Sequence, residues 1–330
     1  MQKTNKLAER VAALLGLDGG YTVTSIQSLW GGYGDLCRIH FDNAKPASVI
    51  VKHIQLPQPS RHPRGWNSSL SHQRKLRSYD VELTWYREYA QQCQSALPRC
   101  LYAEHRGQEV LLILEDLSTK GFPQTNPPVS ATVIHTVLTW LAHFHAQYMH
   151  HLISELWSTG TYWHLATRPD ELAALADSPL KSAAKQIDTV LSEAPFQTLV
   201  HGDAKLANFC FTEDLCSVAA VDFQYVGTGC GMKDVCLFFS SVFTFTETEL
   251  EIEGYLNHYF SALRLALAHY HPDINGAAVE EAWRPLYFIA WADFQRFVKG
   301  WCPDHWKINA YTESVTRRAL DMLAIDGKCG

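Results

Sequence analysis

The sequence has no long apolar run. Its 330 residues are 47% hydrophobic, yet these are dispersed, and no stretch is long and apolar enough to span a bilayer. The first ten residues, Met1 to Arg10, are polar and carry no apolar segment of the kind a secretory signal needs. An excess of positive charge is also missing. Lys and Arg number 28 against 34 Asp and Glu, a net charge of −6, which argues against nucleic acid as a main partner. The nine cysteines are odd in number and contain no C-x2-C pair. Even the run Cys210, Cys216, Cys230 and Cys236 lacks the spacing of a structural zinc site, while Cys37, Cys210 and Cys236 sit in apolar segments. These absences predict a cytoplasmic globular protein with reduced thiols, no membrane partner and no nucleic-acid partner. The length allows about two domains.

What is present divides unevenly along the chain. Residues 5–16 have the pattern of an amphipathic helix. Val23–Ile26, Leu36–Phe41, Ser48–Lys52 and Val110–Leu114 read as strands, and residues 79–94 as a helix. Beyond that point helical periodicity prevails, over 130–152, 170–193, 234–242, 247–269, 278–300 and 309–324. The expected organisation is a β-rich front, residues 1–116, and a mainly helical rear, residues 117–330. Residues 57–77 stand apart. They are rich in Pro, Ser, His and Arg, and Arg61, Arg64, Arg74, Lys75 and Arg77 meet no acid before Asp80. They read either as a solvated insertion or as a flap over an anionic ligand.

The densest chemistry lies in Leu199-Val200-His201-Gly202-Asp203-Ala204-Lys205-Leu206-Ala207-Asn208, followed by Val221-Asp222-Phe223-Gln224. Phe209–Phe211 and Ser217–Val221 read as a hairpin around Thr212-Glu213-Asp214. A simple antiparallel register centred on residue 215 sets Asn208 beside Asp222 at its open end. Two hard oxygen ligands at one point suit Mg2+. Asp203 stands upstream as a base for an alcohol proton, and Lys205 as a cation for a moving phosphoryl group. Taken singly, the same residues are a turn, a cap and a strand end.

On these residues the chain resembles the aminoglycoside phosphotransferase and choline kinase superfamily. The pairing of His201-Gly202-Asp203-Ala204-Lys205 and Asn208 with Val221-Asp222-Phe223-Gln224 is most similar to its ecdysteroid-kinase-like branch. The resemblance implies an α+β, protein-kinase-like bilobal fold, with a small antiparallel-sheet N-lobe that binds nucleotide and a larger helical C-lobe that carries catalysis and substrate. It implies ATP and Mg2+ as cofactors and a small-molecule alcohol as substrate. Asp203 takes the role of catalytic base with Lys205 beside it, and Asn208 and Asp222 that of metal ligands. Lys52, closing the Val49-Ile50-Val51 strand, takes that of the lysine on the α- and β-phosphates, with Glu82 as its partner and Glu88 as second candidate. Gly31, Gly32 and Gly34 resemble the turn over the phosphates, although a plain hairpin turn uses similar residues. Glu115 and Leu117 resemble the hinge whose backbone pairs with adenine. Asp234 resembles an aspartate that anchors the catalytic loop, and His145 and His201 residues that support it.

The departures narrow the reading. Gly202 stands where protein kinases carry arginine, Gln224 where D-F-G has glycine, and only eleven residues, Phe223 to Lys233, separate Asp222 from Asp234. That leaves little room for a protein-substrate platform, so a small alcohol is the better acceptor. A nucleotide-binding module without turnover is the alternative. Trp283, Tyr287, Trp291 and Phe294 form a helical stripe, read either as core or as the wall of an acceptor pocket in which Asp293 binds a cation or hydroxyl. The acceptor itself and the oligomeric state are not written in these residues.

Overall fold

Apolar alternation in the front of the chain resolves into one antiparallel sheet. The computed structural model describes residues 2–29, 32–56, 69–151 and 153–326. β1 (Tyr21–Ser28), β2 (Gly34–Phe41), β3 (Ser48–Gln55), β4 (Cys100–Arg106) and β5 (Glu109–Glu115) are ordered β1-β2-β3-β5-β4. Each neighbouring pair is antiparallel. Side chains alternate across a strand, so Val49 and Val51 of β3 share one face. There they pack with Cys37, Ile39, Phe41, Leu111 and Ile113, and with Ala8 and Val11 of α1 (Gln2–Leu15). Lys52 takes the other face, paired in register with Leu36 and Leu112.

The region after β3 differs from the sequence expectation. α2 runs Ser69–Thr84 and continues as a π-helical turn, Trp85–Tyr89, and a 3-10 turn, Ala90–Gln92. Arg74, Lys75 and Arg77 therefore belong to a helix and not to an insertion. The physical reason is visible in the chain: no Gly or Pro occurs from Trp66 to Leu97, so nothing stops the helix from extending upstream. Residues 57–68, with Arg61 and Arg64, lie outside the described residues. β4 was not anticipated, because its residues are half-buried and mixed in polarity.

Five short strands follow: β6 (Gln124–Thr125), β7 (Thr198–Val200), β8 (Phe209–Phe211), β9 (Val218–Ala220) and β10 (Gly227–Gly229). β6, β8 and β9 form one sheet in that order, and β7 pairs antiparallel with β10. Two compact units result, Met1–Thr125 with Cys210–Val221, and Asn126–Phe209 with Asp222–Gly330. The sequence sets its boundary after residue 116; the contacts carry the first unit on to Thr125 and give it most of the hairpin.

The second unit is helical. It contains α3 (Ala131–Gln147), α4 (Pro169–Ala174), α5 (Ser178–Ser192), α6 (Met232–Val242), α7 (Glu249–Tyr270), α8 (Gly276–Trp283), α9 (Leu286–Trp301) and α10 (Ala310–Asp326). The helices expected over 170–193 and 278–300 are each broken in two. Asp177 caps α5 by accepting from the Leu180 N–H at 3.2 Å, with a proline in the first turn, and Pro285 separates α8 from α9. Trp283, Tyr287, Trp291 and Phe294 are all buried, so the aromatic stripe is core. Among the described residues no helix is long and apolar enough to cross a membrane. The chain is thus α+β, with an antiparallel amino-terminal sheet and a helical second unit.

Ile113 lies fully buried on the α1 face of the sheet, opposite Val51. Ile113→Ala is expected to destabilise the first unit by about 2–5 kcal/mol, read as a lowered urea midpoint with unchanged slope.

Candidate active site

The loop that follows β7 is held by one carboxylate. β7 is wholly buried and ends at Val200. The next two backbone N–H groups, of His201 and Gly202, donate to Asp234 Oδ2 at 2.6 Å and Oδ1 at 2.9 Å. Asp234 stands in the first turn of α6, fully buried. Its Oδ2 also lies 3.1 Å from His145 Nε2 on α3, and His145 Nδ1 lies 2.8 Å from the Tyr259 hydroxyl on α7. The His145 carbonyl accepts from Thr198 Oγ1 at 2.6 Å, which returns the network to β7. A buried carboxylate is costly unless its oxygens are bonded, and both of these are. Gly202 turns the chain with φ +79°, and a Cβ there would sit 2.1 Å from the Tyr225 carbonyl oxygen. Only glycine fits both requirements.

Asp203 follows, buried like its neighbours. Its Oδ2 accepts from Lys205 Nζ at 2.9 Å and from Asn208 Nδ2 at 3.0 Å. The same Asn208 amide donates to the Asp203 carbonyl at 2.8 Å, and Asn208 N–H to the Lys205 carbonyl at 2.8 Å. Asp203 Oδ1 has no hydrogen-bond partner among the described residues. Burial pushes the Asp203 carboxyl above the ordinary carboxylate range; the Lys205 ammonium opposes this and the Asp222 charge adds to it. Burial pulls Lys205 down, but the charges of Asp203 and Asp222 and the Asp203 hydrogen bond outweigh it, so Lys205 moves up and stays protonated. The loop thus holds a buried carboxylate that is bonded on one oxygen and unpartnered on the other among the described residues. His201 Nδ1 accepts from Asp203 N–H at 3.2 Å, so the ring supports the loop. The Leu206 N–H donates to Ser241 Oγ at 2.9 Å, tying the loop to the far end of α6.

Asp222 adopts a left-handed backbone, φ +68°, unusual for a residue with a Cβ. Gln224 Nε2 donates to its Oδ1 at 2.6 Å, and the Gln224 carbonyl accepts from Trp157 Nε1 at 2.8 Å. Phe223 between them is buried, its ring centroid 4.6 Å from that of His201. The residue that replaces the glycine of D-F-G therefore clamps the aspartate. The hairpin closes with Thr212 N–H donating to the Ser217 carbonyl, one residue off the simple register, so strand pairing alone does not set Asn208 opposite Asp222. Asn208 and Asp222 offer one amide oxygen and one carboxylate, with Asn208 Nδ2 committed to Asp203. Few protein oxygens of this kind suit Mg2+, which keeps waters and phosphate oxygens in its remaining positions.

The other candidate residues lie in the first unit. Lys52 Nζ donates to Glu82 Oε1 at 3.0 Å and Oε2 at 2.7 Å, both side chains being buried, whereas Glu88 is exposed. Gly34 has no room for a side chain, since a Cβ would sit 2.0 Å from the His53 carbonyl oxygen. Gly32 N–H donates to the Leu29 carbonyl, and Gly31 lies outside the described residues. Glu115 pairs with Lys120 at 2.8 Å, and Leu117 opens a 3-10 turn capped by Asp116.

Asp293 proves to be no pocket acid. It is buried and accepts from Trp163 Nε1 at 2.9 Å and from Arg296 Nε and Nη2 at 3.1 and 2.8 Å. The Ser241 contact has no signal in the sequence, because Ser241 lies 35 residues from Leu206 and no pattern around it singles it out.

Because position 202 combines a left-handed backbone with no space for a Cβ, Gly202→Ala is expected to lower the thermal midpoint by several degrees, measured by calorimetry.

Three solved structures are similar to the chain at low identity. A choline kinase from Cryptosporidium parvum is 15% identical, covering 93% of this chain and 89% of its own, with a TM-score of 0.51. A choline/ethanolamine kinase family protein from Mesorhizobium loti is 12% identical, covering 97% and 94%, with a TM-score of 0.48. An aminoglycoside phosphotransferase from Streptomyces rimosus is 15% identical, covering 88% and 98%, with a TM-score of 0.46. The first of these supports a protein-kinase-like fold. No curated protein matches the sequence. The family description does: the ecdysteroid kinase-like family matches residues 47–151 and 147–271, which take in Lys52, Glu82, Asp203, Asn208, Asp222 and Asp234. The chain belongs to the ecdysteroid kinase-like family.

Proposed function

We propose that the chain is an ATP- and Mg2+-dependent kinase that moves the γ-phosphoryl group of ATP onto the hydroxyl of a small-molecule alcohol. The observation that carries this is the Asp203 carboxylate, buried, shifted upward, bonded through Oδ2 and unpartnered at Oδ1 among the described residues. Such an oxygen is what a general base needs. Asp203 Oδ1 takes the hydroxyl proton as the alcohol oxygen bonds to the γ-phosphorus. The bond from that phosphorus to the β–γ bridging oxygen breaks, and ADP leaves with the electron pair. Lys205 and Asn208 hold Oδ2 and so fix the direction of the open lone pair, while the Lys205 ammonium offsets charge on the moving group.

Asn208 and Asp222 would hold Mg2+, whose charge neutralises the phosphates when it is bound. Lys52, oriented by its bidentate pair with Glu82, would meet the α- and β-phosphates. The turn of Gly31, Gly32 and Gly34 would lie over the phosphates, and the backbone of Glu115 and Leu117 would pair with adenine. The similar structures are by name kinases of choline and ethanolamine and a phosphotransferase of aminoglycosides, all small hydroxyl-bearing molecules, which fits this acceptor class.

Asp203→Asn is expected to lower ADP release in an alcohol-metabolite screen by roughly 10²- to 10⁴-fold with nucleotide affinity retained; turnover equal to the wild type would remove Asp203 from the role. Asp222→Ala is expected to weaken Mg·ATP instead. The base must be ionised, so kcat/KM falls as pH drops through a value displaced above the ordinary carboxylate range. The stability sign is opposite. A raised folded value means that ionising Asp203 costs stability as pH rises past its unfolded value, so Asp203→Asn should not lower the thermal midpoint at neutral pH.

A further inference from the structure

Side chains alternate along a strand, so β3 places Ser48, Ile50 and Lys52 on one face. Ile50 stands in register with Arg38 of β2 on one side and with Leu114 of β5 on the other. Ile50 and Leu36 on this face are half-buried, whereas Val49 and Val51 on the opposite face are fully buried. An apolar wall thus runs about 7 Å from Lys52 to Ile50. The chain leaves the end of this wall through Glu115, Asp116 and Leu117.

Asp116 is buried and gathers donors from β2, β3 and the turn that follows β5. Its Oδ2 accepts from Arg38 Nε at 2.7 Å and from Ser48 Oγ at 2.6 Å. Its Oδ1 accepts from Arg38 Nη2 at 3.2 Å, from Ser118 Oγ at 2.7 Å and from the Ser118 N–H at 3.1 Å. Burial pushes this carboxyl up, but the hydrogen bonds of Arg38, Ser48 and Ser118 and the Arg38 charge outweigh it. The group therefore lies below the ordinary carboxylate range and stays ionised. The Asp116 carbonyl accepts from the Thr119 N–H at 3.0 Å and from the Thr119 hydroxyl at 2.8 Å. These bonds take the N–H groups of Ser118 and Thr119. The N–H of Leu117, a buried residue, is left without an acceptor among the described residues. Buried backbone N–H groups are almost always paired, so an acceptor atom on a ligand is its complement.

We propose that Asp116 is a positioning residue for the nucleotide base. Tied to β2 through Arg38 and to β3 through Ser48, it holds the backbone of Glu115 to Leu117 at the end of the Lys52 face. The Leu117 N–H then meets a ring nitrogen of the base while Lys52 meets the phosphates. Both carboxylate oxygens are taken by protein donors, so Asp116 acts through the backbone beside it and not by touching the base. This role rests on the phosphotransfer reading of the chain. It differs from a merely structural one in that it favours the nucleoside part of the ligand over the phosphates.

The test is calorimetric titration of the full chain, with Mg2+ present, by two probes. One is a non-hydrolysable ATP analogue; the other is inorganic tripolyphosphate, which carries phosphates without a nucleoside. The ratio of their dissociation constants reads what the nucleoside adds to binding. Asp116→Asn keeps the shape of the side chain and removes its charge. It is expected to lower that ratio about tenfold while affinity for tripolyphosphate stays within about twofold. Arg38→Met removes the same charged bond from a half-exposed side chain and should lower the ratio by a similar factor. It decides the matter alone if Asp116→Asn does not fold. The double variant should lose no more than either single one, because both act through one bonded pair. An unchanged ratio with a lowered thermal midpoint would make the clamp structural only and overturn the proposal. So would equal loss of affinity for both probes, or losses that add in the double variant. A wild-type ratio near one would leave the base without a seat at Leu117 and overturn it as well. If the wild-type chain binds neither probe, the phosphotransfer reading itself fails; if it binds both and only the variants behave otherwise than expected, the role of Asp116 alone falls.

Discussion

The buried carboxylate of Asp234 is the constraint on which the catalytic loop depends. It accepts the N–H groups of His201 and Gly202 and faces His145, which in turn meets Tyr259. One side chain at the start of α6 thereby joins β7, α3 and α7. Removing a carboxylate from water is tolerable only when its lone pairs are filled, and filling them with backbone N–H groups converts electrostatic cost into loop rigidity. Gly202 completes the arrangement by allowing the backbone to pass against Tyr225. The direction of Asp203 is a consequence of this anchor.

Two buried carboxylates of this chain are treated differently by their surroundings. Glu82 meets the Lys52 ammonium through both oxygens, an arrangement that positions a cation. Asp203 has both neighbouring donors on a single oxygen, and burial raises its proton affinity. The first pair is suited to binding and the second to proton transfer. Lys205 keeps Asp203 from drifting further upward, so the pair is tuned by opposition between desolvation and charge.

Much of this was legible in the sequence because it is local. The 201–208 segment brings Asp203, Lys205 and Asn208 into direct contact over five residues, and the strands of the front half follow from apolar alternation. Legibility fails where a feature depends on what is absent or distant. α2 begins ten residues before the expected helix because nothing stops it upstream. β4 is too mixed in polarity to stand out. Proline and an aspartate cap split two helices that periodicity alone runs together. Asp293 reads as a free acid until Trp163 and Arg296 are seen to occupy it.

The central claim is that the residues around Asp203 serve a Mg·ATP-dependent transfer. The most direct measurement is the thermal midpoint of the full chain with ATP and Mg2+, against ATP with a chelator. The account predicts stabilisation that requires the metal, growing with nucleotide concentration by mass action. No shift at millimolar Mg·ATP would contradict it.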